Sequence, residues 1–355
     1  MQKTYYKLYE NCHITIGASR SIIADNQRDR LYFIPNALAG LFDSENVLRF
    51  DNNVPEDIRD DYASFLLQND LVFSCDERLL KNFPILDETW HSYSIISTLQ
   101  VEVDPALKIQ TFKMLEDIIE NYGATHLEVN ILGNQSIIEL SEAIEELNKL
   151  DLFNYNISFS YPVDSNNDTI IKMIESNYKI FRCIVNKSIH NKIFESQRSG
   201  WGNIIFSTTE YSTQACGQVS HFYFCNSRDH INESKKFNTC LNRKLAITKN
   251  GDIKNCLSSP SIFGNYYKDN LADIISKTEF KRKWNIKKDD IDVCKICEFR
   301  NICTDCRIFL ENPDDDFSKP LKCGYDPVSN QWSDWLKMPT KFAAIKHYRI
   351  DSSEI

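Results

Sequence analysis

Residues 293–307 read VCKICEFRNICTDCR, which sets the spacing Cys294-x2-Cys297-x5-Cys303-x2-Cys306. Working outward, Cys240 and Cys256 lie upstream in the pattern C-x10-G-x4-C about Gly251, and Cys323 follows Cys306 after x16. A C-x2-C pair lets one tight turn bring two thiolates within a few ångströms of a single metal centre. Seven thiolates are too many for one tetrahedral ion. They suit two clusters, with one ligand supplied from elsewhere in the chain.

The composition supports that reading. The 355-residue chain is 42% hydrophobic and 26% charged, as expected of globular domains, and its length predicts two or three of them. The net charge of −9 and the pI near 5.4 exclude a sequence-independent nucleic-acid binder, which needs dense Lys and Arg to displace phosphate counterions. The opening MQKTYYKLYENCH lacks the apolar core of a secretory signal, and no apolar run approaches the roughly 18 residues of a membrane span. A cytoplasmic protein is expected, with no membrane or nucleic-acid partner. Thiols stay reduced there, so twelve cysteines argue for metal binding over disulfides.

Residues 1–36 predict short strands around Thr4–Glu10, Ile14–Ile16, Ser21–Asn26 and Arg30–Ile34, with a helical turn at Ala37–Phe42. A helix follows from Val54 and Pro55 to Asn69, with Ile58, Tyr62, Phe65 and Leu66 on one face, and then the short apolar Leu71–Cys75. From about Tyr93 strands and helices alternate. Strands are expected at Ser92–Val101, His126–Ile131, Tyr155–Tyr161, Lys179–Val185 and Asn203–Ser207. Helices are expected at Pro105–Tyr122, with Leu107, Phe112, Leu115, Ile118 and Ile119 inward, at Ser136–Leu150 and near Asp168–Asn177, with one more short helix before Asn203. Ser136 and Glu139 form a capping-box pair. Repeated βα units imply a parallel sheet, and about five strands are too few for a closed eight-stranded barrel. The fold class is α/β with an open or partial (β/α) barrel. Gly251 suits the tight turn of a hairpin that joins KLAIT (244–248) to DIKNC (252–256).

The middle region with its cysteine array resembles radical-SAM proteins that carry a C-terminal SPASM domain. More closely, the chain resembles the SPASM-domain peptide maturases of grasp-with-spasm systems. The stretches that carry this are TCLNRKLAI (239–247), NGDIKNC (250–256), VCKICEFRNICTDCR (293–307) and KPLKCGYDP (319–327), with the tail DPVSNQW (326–332). The match covers about residues 235–335. Upstream it rests on element order: residues 1–82 resemble a PqqD-like winged-helix module, which grips an extended leader peptide by strand addition. A small α+β cap without a ligand is the competing reading of that module. The resemblance implies four parts: the peptide-recognition module (1–82), a degenerate radical-SAM-type partial barrel (90–212), an iron–sulfur SPASM domain (213–335) and a tail (336–355).

The chain departs from the family twice. The loop after Val103 holds no CxxxCxxC, and Cys12, Cys75 and Cys183 are isolated, so nothing supplies the open iron that chelates SAM. Cys303 and Cys306 are separated by x2 where such domains commonly have x3. By the resemblance, Cys294, Cys297, Cys303 and Cys323 bind one [4Fe–4S] cluster, and Cys240, Cys256 and Cys306 bind a second. The candidates for the missing ligand are Cys216, Cys225, His221 and His230, with Cys216, in a polar turn before Gly217, preferred to Cys225 at the end of the apparent strand HFYFC; an exchangeable ligand, or an open iron that takes a side chain of the peptide, is the alternative. Structural zinc is the alternative to iron–sulfur. The resemblance implies a maturation factor for a ribosomally made peptide, with the precursor's leader and an ATP-grasp ligase as partners. A SAM-independent redox enzyme and a zinc-stabilised interaction module are the alternatives, and no catalytic residue is assigned. Cys12, Cys75 and Cys183 read as small core hydrophobes. Lys281–Lys283 and Lys287–Lys288, about Trp284, read as solvated faces.

Overall fold

The computed structural model describes residues 4–50, 53–104, 109–196 and 202–350. Strands β1 (Thr4–Leu8), β2 (Cys12–Ile16), β3 (Ser21–Asp25), β4 (Arg30–Ile34), β5 (Val47–Leu48) and β6 (Val72–Asp76) are interleaved with helices α1 (Asn36–Ala39), α2 (Glu56–Gln68) and α3 (Glu77–Leu80). Then β7 (Thr98–Val103), α4 (Ile109–Tyr122), β8 (His126–Ile131), α5 (Ile137–Leu147), β9 (Tyr155–Ser160), α6 (Asn167–Ser176) and β10 (Ile180–Asn186) alternate. Next come β11 (Lys192–Glu195), β12 (Asn203–Phe206), α7 (Arg228–Ser234), β13 (Lys244–Ile247), β14 (Asp252–Lys254) and β15 (Gly264–Asn265). Helices α8 (Leu271–Ser276) and α9 (Thr278–Lys281), strands β16 (Tyr325–Asp326) and β17 (Gln331–Trp332), and helix α10 (Phe342–His347) complete the chain. No helix among the described residues is long and apolar enough to cross a membrane.

The chain forms two compact units. One gathers residues 1–90, 218–239 and 285–345; the other gathers 91–217, 240–284 and 346–355. The cysteine-rich stretch 213–335 contributes to both.

The second unit is built on a nine-stranded mixed sheet in the order β11-β12-β10-β9-β8-β7-β13-β14-β15. Strands β7, β8, β9, β10 and β12 run parallel, and β13 joins β7 in parallel, while β11, β14 and β15 are antiparallel additions at the two ends. Leu99, Val101, Leu127, Val129, Ile157, Phe159, Cys183 and Val185 bury one face of this sheet, and Met114, Leu115, Ile118, Ile119, Leu140, Ile144, Ile170 and Ile174 bury the inner sides of α4–α6. Period-2 strands and period-3.6 helices supply these apolar stripes. Gly123 ends α4 at φ +74°, and the capping box of Ser136 and Glu139 opens α5. The expected start of α4 at Pro105, and Leu107, lie outside the described residues. The short helix expected before Asn203 is instead β11, whose Ile193 and Phe194 pair with Ile205 and Ile204 in an antiparallel hairpin. The neighbouring β12 offers backbone partners that a single helical turn lacks.

In the first unit, β2-β3-β4 form one antiparallel meander and β5-β1-β6 a second sheet. Their shared core holds Leu8, Cys12, Ile23, Ile34, Leu38, Leu48, Leu66 and Val72, with Tyr62 and Phe65 of α2 packed against it. Ile58, expected on the same face, is exposed, because it lies near the start of α2, before the packed part of the helix.

Candidate metal centre

Cys294–Ile296 form a 3-10 turn, and the Cys297 amide donates to Cys294 O at 3.0 Å, which closes the first C-x2-C loop. The amides of Ile302 and Cys303 both return to Phe299 O, at 3.0 and 2.9 Å, so Cys303 follows on a second turn. Cys323 is set by its own amide on Pro320 O at 3.2 Å and by a parallel bridge to Val219. The buried Lys341 ammonium donates to Leu321 O at 2.7 Å and Cys323 O at 2.6 Å and holds this third segment. Beyond it, a Cβ on Gly324 would stand 1.8 Å from Ser333 O, so only glycine lets the β16–β17 hairpin close against the segment.

These loops bring Cys294, Cys303 and Cys323 into electrostatic reach of one another, and Cys297 into reach of Cys294 and Cys303. Burial pushes the Cys303 thiol up to about 12, against the nearby Lys288, with Cys323 and Cys294 adding to the rise. Burial raises Cys294 likewise, opposed by Lys288 and reinforced by Asp305 and Cys323. Burial raises Cys297, against a hydrogen bond from the Phe299 amide, with Cys303 and Cys294 adding. Cys294, Cys297, Cys303 and Cys323 therefore form one neighbourhood. A bound metal offsets this cost, because coordination deprotonates a thiol and its positive charge replaces the missing solvation. The donor chemistry fits a thiolate-held group.

The surroundings are half apolar and half ionic. Phe299, Ile302, Cys303 and Tyr325 share a buried cluster with Ile22 and Ala24 of β3, and Cys297, Cys323, Phe224 and Trp332 pack on it. On the ionic side Lys288 Nζ stands 4.0 Å from Cys294 Sγ and 3.3 Å from Asp305 Oδ1. Asp305 also accepts from Arg307 Nε at 2.9 Å and Asn238 Nδ2 at 2.8 Å. Lys288 is thus buried, which corrects the reading of Lys287–Lys288 as a solvated face: its partner Asp305 is also buried. Glu298, wholly buried, accepts from Arg20 Nε at 2.8 Å and Tyr325 OH at 2.5 Å and ties the loop to the β2–β3 turn.

The other candidate ligands divide between the units. Cys240, Cys256 and Cys216 belong to the second, where Lys244 Nζ lies 3.5 Å from Cys240 Sγ. Burial lowers this ammonium's pKa, but Cys240, Cys256, Glu128 and Cys216 more than reverse it and hold it above its ordinary value. Cys216 is exposed at the end of the Thr213–Ala215 turn, and Gly217 follows at φ +84°. Cys306 belongs to the first unit, where its Sγ accepts from the Phe309 amide at 3.5 Å.

Cys225, His221 and His230 also belong to the first unit. Residues 221–223 form a 3-10 turn rather than the expected strand, because Tyr223 and Phe224 fold back on the Ser220 and His221 carbonyls. Cys225 Sγ meets Ser227 Oγ at 3.4 Å, and the His221 ring packs on Phe224, Phe299 and Trp332. Burial holds His230 below its ordinary value. Of the isolated cysteines, Cys12 and Cys183 are core residues, burial pushing Cys12 up to about 12, and Cys75 is half-buried. None of the twelve cysteines is in a disulfide.

Among the described residues no three His, Cys, Asp or Glu side chains converge as they would around a single metal ion. A four-iron cluster takes its thiolates on separate irons, so its donors share a volume rather than a point. Lys244, Lys288, Asp305 and Glu298 were not legible from cysteine spacing, since each reaches the thiols through a contact that folding creates. Comparison with family models, with curated proteins and with solved structures finds no match to this chain.

Proposed function

We propose that this protein is a cytoplasmic iron–sulfur maturation factor for a ribosomally made peptide. Cys294, Cys297, Cys303 and Cys323 would hold one [4Fe–4S] cluster, and Cys240, Cys256 and Cys216, all of the second unit, would supply thiolates to a second. The carrying observation is a neighbourhood of four thiols, each near at least two others, with the Lys288 ammonium 4.0 Å from Cys294 Sγ. When bound, such a group cross-links loops that have little core of their own and can store an electron. Lys288 would balance the thiolate charge, and the Phe299–Tyr325–Trp332 wall would limit access of water. The β2-β3-β4 meander ends on β4, an edge suited to pairing with an extended leader peptide. An ATP-grasp ligase, as a separate chain, would then form the cross-links, since this sequence carries no nucleotide-binding motif.

Metal analysis of anaerobically purified protein tests the reading. About eight irons per chain, matched by acid-labile sulfide and visible charge-transfer absorption, are expected. Colourless protein with stoichiometric zinc would replace this reading with the interaction-module alternative. Loss of leader-peptide binding on substituting β4 edge residues, with iron retained, would support the peptide half; unchanged binding would remove it.

A further inference from the structure

Over β7–β10 the face of the sheet opposite α4–α6 is largely polar, which is unusual for a parallel sheet, whose strands are ordinarily apolar on both sides. Backbone register lines up Gln100 with Glu128, Glu128 with Asn156 and Asn156 with Arg182, one residue from each of β7, β8, β9 and β10. Arg182 alternates with the buried Cys183 and so stands on this row, and the register shift between Ile180 and Arg182, where Phe181 is an extra residue, turns Ile180 to the buried side. Bulges re-aim side chains in this way and collect beside functional sites. A cleft of about 130 Å³ lies over the Glu128–Asn156–Arg182 part of the row, lined also by Asn130, Ser158 and Ile184; Gln100 does not line it.

The row is rich in unused hydrogen-bonding capacity. Gln100 is only 8% exposed, yet its Oε1 has no partner, nor has the buried Oδ1 of Asn156. Gln100 Nε2 donates to Glu128 Oε2 at 2.5 Å, which orients that carboxylate, and Ser158 Oγ donates to Asn130 Oδ1 at 2.6 Å. Among the described residues nothing pairs with the Arg182 guanidinium. A buried oxygen without a donor is costly, so two in one row favour a group that brings N–H donors.

We propose that this row binds the head group of a free α-amino acid. Two acceptors on the cleft, the Glu128 carboxylate and the Asn156 oxygen, call for an N–H-rich cation. Arg182 calls for a carboxylate, which its planar fork grips in bidentate fashion. Glu128 and Arg182 stand two strands apart, about 10 Å between backbones. An ammonium and a carboxylate on neighbouring atoms, each in a hydrogen bond of about 3 Å, bridge side chains converging from that separation. A cavity of about 150 Å³ accepts a six-carbon ring, so the cleft matches a head group with a short side chain. The site lies within the second unit, where Lys244, which faces Glu128, also faces Cys240, Cys256 and Cys216.

The test uses the full-length, anaerobically purified protein and the twenty common L-amino acids, screened by saturation-transfer NMR and followed by calorimetry. At least one is expected to bind saturably with Kd below about 1 mM, and its N-acetyl and C-amide derivatives are expected to bind at least tenfold more weakly. Arg182→Met, at an exposed position, is expected to weaken binding at least tenfold. Glu128→Gln tests the ammonium end, and if it does not fold, the Arg182 variant and the blocked ligands still decide. No saturable binding, equal binding of blocked derivatives, or an Arg182→Met protein with unchanged Kd would each overturn the assignment.

Discussion

Asp25 is wholly buried at the end of β3, where it accepts from Asn11 Nδ2 at 2.6 Å, from the amides of Gln27 and Arg28 at 3.0 and 3.2 Å, and from Arg28 Nη1 at 2.9 Å. Burial alone would raise this carboxyl, but the Arg28, Asn11 and Gln27 bonds more than reverse that and hold it below the usual range. A carboxylate with a depressed folded pKa stabilises fully above its unfolded value of about 3.9 and loses that contribution as pH falls through the folded value. Asp25→Asn is therefore expected to cost about 2 kcal/mol at pH 7 and to flatten the fall in stability below about pH 4. Urea midpoints from pH 6 to pH 2.5 check both; a variant that keeps the parent's acid slope would contradict the assignment. Cys297→Ala is expected to remove about four irons per chain and to leave the rest, since one missing thiolate undoes one centre. Iron and sulfide analysis decides it, and unchanged iron would exclude Cys297 as a ligand. The thiols were legible in the sequence as chemistry because thiolate spacing states what they can hold. Lys288 was not, because only its contacts with Asp305 and Cys294 distinguish it from a solvated lysine.

At the scale of the element, the β13–β14 hairpin turns on Gly251, whose φ is +84° and whose missing Cβ would stand 2.6 Å from the Tyr267 ring. Left-handed backbone costs an L-residue about 1–2 kcal/mol, and the ring must also move. Gly251→Val is expected to lower stability by about 3 kcal/mol and to reduce metal content, because the hairpin carries the chain from Lys244 to Cys256. Thermal unfolding with iron analysis measures both, and full stability with full iron would show that the turn tolerates a side chain. This hairpin, the capping box of α5 and the alternation from β7 to β10 were readable locally, since each follows from residues a few positions apart. The stretch Lys192–Glu195 and the turn His221–Tyr223 were misread because a run of four or five residues takes its form from a neighbour, β12 in the first case and its own backbone carbonyls in the second.

At the scale of the molecule, removing the metal is expected to act unevenly. Loops 285–345 of the first unit are short turns with little regular structure, whereas β8, β9 and β10 are paired on both edges in the second. Chelation under reducing conditions should raise hydrogen exchange at 294–306 and 319–325 at least tenfold while Val129, Ile157 and Val185 stay protected. Uniform loosening of both regions, or no change in either, would oppose a local stabilising role. The sequence by itself determined the apolar stripes of helices and strands and the spacing of thiols, because periodicity and ligand chemistry are properties of neighbouring residues. Only the tertiary structure decided that one stretch of cysteines is shared between two units, that the buried Lys288 and the half-buried Lys244 stand beside the sulfurs, and that Gln100, Glu128, Asn156 and Arg182 form a row. Those facts depend on strand register and on long-range charge contacts, which join residues tens of positions apart and leave no periodic trace in the chain.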